Sequence, residues 1–421
     1  MPAETIAEIT LTFFIMMIAT AQLIALKLKI PYTLVLVFVG IGVTALSTLA
    51  LSPGVIQLAV GSIRSLYSQL VGTGLFVGLV VPPLIFEAMI HIRRRELVVV
   101  FRPALLLATI GVVVSTIVAG VVVWKIANLP LFPSLLFASI VAPTDTVTVL
   151  QIFRHIKVPA RLSALMDIEA AFNDASGIVL FTILLSTAGL LHSFSILNGI
   201  GTFAYDFIGG VAVGLAIAIA FKWIHSRIDD RLASITLTIA GVYGSYVIAS
   251  SIGASGLIAV AIVGLYFGNS TMRFAVSENV KSSILSFWEI AAFMGNAVAF
   301  MLIGFETNLV LFFEAALVIF VAYLATIIAR IATVYPIFGA LRRFGQEIPS
   351  KWSAIATMGG IRGALSIALL ATLAGSGILD QNSLAIITSM VIGVVFISII
   401  VQVPLLSRHT SMVYGKAGQV S

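Results

Sequence analysis

Apolar runs of about 20 residues recur along nearly the whole chain, and a run of that length crosses the hydrocarbon core of a bilayer as a helix. They fall at 5–26, 31–50, 70–90, 103–127, 132–153, 163–191, 199–223, 232–250, 253–269, 283–305, 308–330, 352–374 and 382–406. In lipid every backbone N–H and C=O must be satisfied within its own segment or a closed barrel, so runs this long spell α-helices. The expected fold is an all-α polytopic membrane protein of about 13 transmembrane helices. Only 10% of the 421 residues are charged, against about 25% in a soluble domain. That leaves no room for a sizeable soluble domain.

The charges that remain are informative by position. The chain carries 23 Lys and Arg against 17 Asp and Glu, a net +6. The basic residues are scattered through short loops and form no stripe, so membrane lipid is the expected partner and nucleic acid is not. With the N-terminus placed outside, all but three of the 23 fall in inside loops; Arg64 and Lys125 are outside, and Arg362 lies within a run. This is the positive-inside pattern of an N-out, C-in protein, in which Arg93-Arg94-Arg95 is a topology signal. The acidic start, with Glu4 and Glu8, does not read as a cleavable signal. The absence of cysteine excludes disulfides and thiolate chemistry. His91, His155, His192, His225 and His409 fall in loops, run ends or the tail, with no pair at metal-ligand spacing. No cofactor and no enzyme chemistry is expected. Gly72-Thr73-Gly74 and Gly375-Ser376-Gly377 read as helix-end glycines, not phosphate loops.

Thirteen spans divide as six, one and six, which predicts two six-helix repeats of inverted topology joined by a linking helix. Matching irregularities support this. The fifth span is interrupted at Ala142-Pro143-Thr144-Asp145 and the twelfth at Met358-Gly359-Gly360-Ile361-Arg362-Gly363. Pro143 removes a backbone donor and the glycines loosen the chain. Broken helices in corresponding positions of two halves point to a transporter's substrate site.

Ionisable groups gather at that depth: Glu87, Asp145, Glu169, Asp174 and Arg362. Asp174 sits about ten residues into its run, roughly 15 Å deep, where a carboxylate is costly and marks function. On the same helix Asp167, Ala170 and Asp174 share one side, and Glu169 and Asn173 share a neighbouring one. Arg362 stays charged and needs a carboxylate partner, Glu169 or Asp145. The acid left free binds a mobile cation, and Asp174 fits that role. A carboxyl that titrates in the working pH range holds a proton or a monovalent cation, not both. Such competition makes an exchanger if the site opens to each side only when occupied. A single titrating acid beside the neutral Asn173 favours one proton per cation. A cation channel would need a filter-like repeat, which is not evident, and an aspartyl dyad of Asp145 and Asp174 is the enzyme alternative.

At these residues the sequence resembles the monovalent cation/proton antiporters, in the NhaP/sodium–hydrogen exchanger branch. The resemblance rests on Pro82-Pro83-Leu84-Ile85-Phe86-Glu87, Pro143-Thr144-Asp145, Glu169 with Asn173-Asp174, Phe287-Trp288-Glu289 with Asn296 and Leu302-Ile303-Gly304, and Gly360-Ile361-Arg362-Gly363-Ala364-Leu365-Ser366. It implies exchange of Na⁺ or Li⁺ for H⁺ in a prokaryotic plasma membrane, with K⁺/H⁺ exchange as the runner-up. Asp174 would carry the ion, with Asp145 and the backbone at Thr144 completing the site. Glu169 would pair with Arg362, Asn173 would support the helix crossing, and Glu87 would line the cytoplasmic approach. The Asn-Asp pair implies the electroneutral branch. Many relatives have serine where this chain has Ala170, which removes one oxygen ligand. The resemblance further implies a homodimer and elevator-type alternating access. Residues 1–95 and 230–306 would then form a dimerisation scaffold and 96–195 and 307–407 a six-helix ion-transporting core. Residues 196–229 would be the linking helix and 408–421 a short cytoplasmic tail.

Overall fold

The computed structural model describes residues 3–28, 30, 32–48, 61–63, 65, 75–127, 129–145, 147–187, 196–272, 277–306 and 314–415. The expectations attached to Arg64, Gly72-Thr73-Gly74, His192 and the end of the tail lie outside these residues.

Among the described residues there is no strand. The chain runs through α1 (Ala3–Leu28), α2 (Tyr32–Thr48), α3 (Leu75–Ile90) and α4 (Arg94–Ile126). The broken pair α5a (Leu131–Val141) and α5b (Val147–Ile156) follows, then α6 (Ala160–Thr187) and α7 (Ile196–His225). Next come α8 (Arg231–Ser251), α9 (Gly256–Thr271), α10 (Glu278–Glu306) and α11 (Ala316–Arg343). A second broken pair, α12a (Lys351–Met358) and α12b (Ala364–Ser376), precedes α13 (Gln381–Tyr414). Eight of these, α1, α4, α6, α7, α8, α10, α11 and α13, contain stretches long and apolar enough to cross a membrane. Five shorter apolar helices are α2, α3, α5a, α9 and α12b.

Local chemistry sets the ends. Asp230 accepts from the Ala233 N–H at 2.7 Å, Ser255 from Ile258 at 3.3 Å and Asp380 from Ser383 at 3.0 Å, each satisfying a first-turn donor that the helix leaves unpaired. Gly377 ends α12b in the left-handed region at φ +65°, as a helix-end glycine should. α4 starts at Arg94, well before the expected start at 103. Its first turns are amphipathic, burying Val100, Pro103 and Ala104 while Arg95 and Arg102 stay exposed. Those charges hide the helix from a hydropathy average. Asn269 fixes this end by accepting from Arg94 N (2.6 Å) and donating to Ile92 O (2.8 Å).

α11 departs further from expectation. It runs on through Arg343, so Arg330 is not in a loop; it lies in mid-helix and is 5% exposed. Leu317, Phe320, Leu324, Ile328 and Ile331 form the exposed apolar face of this helix. Ala322, Thr326, Arg330 and Thr333 form the buried one, at the three- and four-residue spacing of a helix stripe.

Packing sorts the helices into two sets. α2 and α3 pack on α10, and α7 and α8 pack on α9, which also meets α3. In the other set α4 packs on α5a, α6 and α11, while α13 packs on α11, α5a, α5b and α12b. The sets meet where α6 touches α3 and α9 and where α12b touches α3 and α10. That seam holds the polar residues.

Candidate functional site

The two broken helices cross at their interruptions. The N–H of Asp145 donates to Ile361 O at 2.8 Å, stitching one unwound segment to the other. Such close approach needs small residues. A Cβ on Gly363 would fall on the Asp145 carboxylate, 2.6 Å from its Cγ. Gly177 on α6 gives the same clearance to the Pro143 ring.

A helix that stops inside a protein leaves carbonyls unsatisfied and a negative dipole end. Both first half-helices are closed by arginine. Arg362 Nη1 donates to Ala142 O (2.5 Å) and Pro143 O (3.0 Å), beyond the end of α5a. Its own N–H donates to Ser398 Oγ at 3.1 Å, in a π-helical turn of α13. Ser366 Oγ donates to Ile140 O at 2.9 Å. Arg330 closes α12a, donating to Ala356 O from Nε (3.2 Å) and Nη2 (3.1 Å).

Here the structure corrects the expected ion pair. Glu169 Oε1 receives Arg330 Nη1 at 2.5 Å, with both side chains buried. Arg362 instead has its Nη1 on helix-end carbonyls, although Glu169 remains within its electrostatic reach. The reason is rotational. Five residues on a helix turn through about 500°, so Glu169 points well away from Asp174 and toward α11. The sequence signal for Arg330 was its place in the buried stripe of α11.

The structure gathers most of the expected site residues. Asn173 Nδ2 donates to Thr144 Oγ1 at 2.8 Å, fixing the unwound segment against α6. Asp174, Asp145, Thr144, Ala170 and Glu87 all line one cavity of about 190 Å³ at the seam. Asp145 is the charged neighbour that acts on Asp174. Two carboxylates facing one small space favour a shared cation or a proton between them. Ala170 contributes no oxygen to this wall. Glu169, Asn173 and Arg362 lie behind it and support it.

The same cavity is also lined by Asp167, Ser366 and Asn296, to which the sequence reading assigns no function. A second cavity of about 480 Å³ continues from the first, sharing Glu87, Asp167, Glu289, Ala88 and Leu150. Its far end is lined by His91, Arg93, Glu96, Ala160 and Ser163, at the starts of α4 and α6. Glu87, Asp167 and Glu289 thus stand on three helices at the junction of vestibule and inner site. Three carboxylates grouped at such a junction make it electrostatically favourable to small cations.

The transmembrane model of the sodium/hydrogen exchanger family matches residues 12–409. The chain is 33% identical over 376 residues to the Na⁺/H⁺ antiporter ApNhaP of Aphanothece halophytica, covering 89% of this chain and 68% of that one. It is 31% identical over 359 residues to the Na⁺/H⁺ antiporter NhaS2 of a Synechocystis species, covering 84% and 62%. The solved structure of the sodium proton antiporter MjNhaP1 from Methanocaldococcus jannaschii superposes with a TM-score of 0.75 at 22% identity, covering 94% of this chain and 99% of that one. At that identity the likeness establishes a shared fold.

Proposed function

This chain belongs to the sodium/hydrogen exchanger family, and from that premise we propose that it is a secondary antiporter exchanging Na⁺ or Li⁺ for H⁺ across a prokaryotic plasma membrane. One observation carries the proposal: a cavity leads from the ends of α3, α4 and α6 to Asp174, beside Asp145, at the crossing of two broken helices. Asp174 takes either the cation or the proton. Asp145 and Thr144 complete the cation site, with Asn173 holding Thr144 in place. Glu87 guides the cation in from the vestibule. Arg362 secures α5a, and Glu169 is committed to Arg330, so neither carries substrate. With Asn173 neutral, one proton is traded for one cation and the cycle is electroneutral.

The architecture we infer has thirteen crossings, N-out and C-in, as two inverted six-helix repeats. It is supported by described helices that lie in order on the predicted runs. Residues 96–195 and 307–407 form the moving core, 1–95 and 230–306 the scaffold of a homodimer, and 196–229 the link. The two packing sets support this division. Sliding one set along the other would carry Asp174 between the two aqueous faces in elevator fashion.

Purified protein in liposomes with an imposed pH gradient and an internal pH dye tests the function. Added Na⁺ or Li⁺ collapses the gradient, and clamping the voltage with valinomycin leaves the rate unchanged. A gradient insensitive to every alkali cation would overturn the antiporter. A voltage-dependent rate would remove only the one-to-one stoichiometry. Because proton and cation compete for one carboxylate, the apparent KM for Na⁺ rises as pH falls through the titration of that group.

The Gly363–Asp145 contact gives a second test. In Gly363→Ala the new methyl occupies the place of the Asp145 carboxylate, and overpacking of this kind costs about 1–3 kcal/mol. The variant should melt at lower temperature and exchange Na⁺ with a raised KM. A wild-type KM would mean that Asp145 can give way without loss.

A further inference from the structure

The residues assigned above place every cation oxygen on the wall built by α5, α6 and α12. The opposite wall, from α2, α3 and α10, is mostly apolar, with Val81, Leu84, Ile85, Ala88, Ala292 and Phe293 facing the cavity. Its acids Glu87 and Glu289 also line the vestibule, which puts them at the junction. Asn296 lines only the inner cavity.

Asn296 has two properties of a ligand rather than a packing residue. It is 4% exposed, and its Oδ1 has no hydrogen-bond partner. A buried amide oxygen left without a donor is expensive, and most such groups find a partner. Its depth also matches. Asp167 on α6 and Glu289 on α10 both stand at the junction. Asp174 and Asn296 each follow seven residues later on their helices, about 10 Å further along. Both helices run from the junction into the inner cavity: on α6 Asp167 lines both cavities and Asp174 only the inner one, and on α10 Glu289 lines both and Asn296 only the inner one. Asn296 and Asp174 therefore line the inner cavity at similar depth, one on α10 and the other on α6.

We propose that Asn296 supplies a neutral oxygen ligand to the alkali cation held at Asp174, from the wall opposite, and so sets cation affinity and size preference. The proposal rests on the exchange reading above. A dehydrating cation needs oxygens to replace its water, and selectivity follows their number and field strength. The carbonyl of an asparagine accepts without bringing charge. It therefore adds a ligand while leaving the one-for-one exchange unchanged.

The test compares wild type with Asn296→Ala and Asn296→Asp in the liposome assay, together with melting of the detergent-purified proteins in NaCl against choline chloride. One charge-assisted contact is worth about tenfold in affinity, so Asn296→Ala should raise the KM for Na⁺ and Li⁺ about tenfold at unchanged maximal rate. Discrimination against K⁺ should fall, while Asn296→Asp, which keeps an oxygen, retains tight binding. In choline the melting temperature stays at the wild-type value, but the rise produced by NaCl is lost in Asn296→Ala. A merely structural residue would lower stability in choline and leave the cation preference alone. If Asn296→Ala does not fold, Asn296→Leu fills the space without an oxygen and gives the same readout. Wild-type KM values, cation preference and NaCl stabilisation in the apolar variant would overturn the proposal. Failure of wild type to exchange any cation would overturn the antiporter instead. The ligand assignment would then be decided by whether NaCl stabilises wild type more than the variant, and equal or absent stabilisation in both would overturn it.

Discussion

Asp174→Asn reduces Na⁺-driven proton movement to the leak of protein-free vesicles. The amide has nearly the same size and shape as the carboxylate, so the cavity wall is preserved. What disappears is the ability to exchange a proton for a cation, because an amide neither takes up a proton at physiological pH nor presents a negative charge. The substitution does not break a structural pair of the Arg330–Glu169 kind, since the charged neighbour acting on Asp174 is Asp145, a like charge. Removing one member of such a repulsive pair relieves the fold, so the variant should purify at wild-type yield and melt no lower. Folding and function are thereby separated in one protein. Full exchange activity in well-folded Asp174→Asn would remove the site assignment outright and shift attention to Asp145. Residual activity with a normal KM but lost pH dependence would show that the proton travels by another group.

Much of this arrangement is legible in the chain because lipid leaves few choices. A run such as 163–191 can only be a helix, and a carboxylate such as Asp174 ten residues inside it has to be explained by function. Pro143 and the glycines near Arg362 announce the two interruptions, since each removes a donor or a side chain where a helix needs one. The sequence does not reveal what those interruptions touch. Arg362 closing α5a through the carbonyls of Ala142 and Pro143 involves acceptors that every residue carries, so no side-chain pattern marks them. Arg330 was hidden for a different reason. A hydropathy average ends a span at the first arginine, and that reading places the residue in a loop. Its helical stripe with Ala322, Thr326 and Thr333 points inward, but the stripe has meaning only once the helix is known to continue. That misplacement leaves Arg362 as the sole intramembrane base in need of Glu169 or Asp145, and the choice of Glu169 comes from the resemblance.

The corrected pairing moves the largest stability effect to Arg330. Its guanidinium meets the Glu169 carboxylate and donates two bonds to Ala356 O, with Arg330 5% and Glu169 0% exposed. Arg330→Ala leaves a fully buried carboxylate without its cation and the end of α12a without its donors. Breaking one side of a buried pair costs about 3–5 kcal/mol, comparable to the whole margin of about 5–15 kcal/mol that keeps a domain folded. The expected result is little or no monodisperse protein by fluorescence-detected size exclusion, and a strongly lowered melting temperature in whatever survives. Arg330→Met with Glu169→Leu tests the cause. Replacing both charges by apolar groups of similar volume is often neutral or stabilising, so the double variant should recover part of the lost protein although Ala356 O stays without its donors. Arg362→Ala should be milder for folding, because Pro143, one of the two carbonyl residues it leaves behind, lines a cavity that water can enter and Glu169 keeps Arg330. If Arg330→Ala expresses and melts like wild type while Arg362→Ala fails to fold, Glu169 answers to Arg362 after all and the geometry at α11 is wrong.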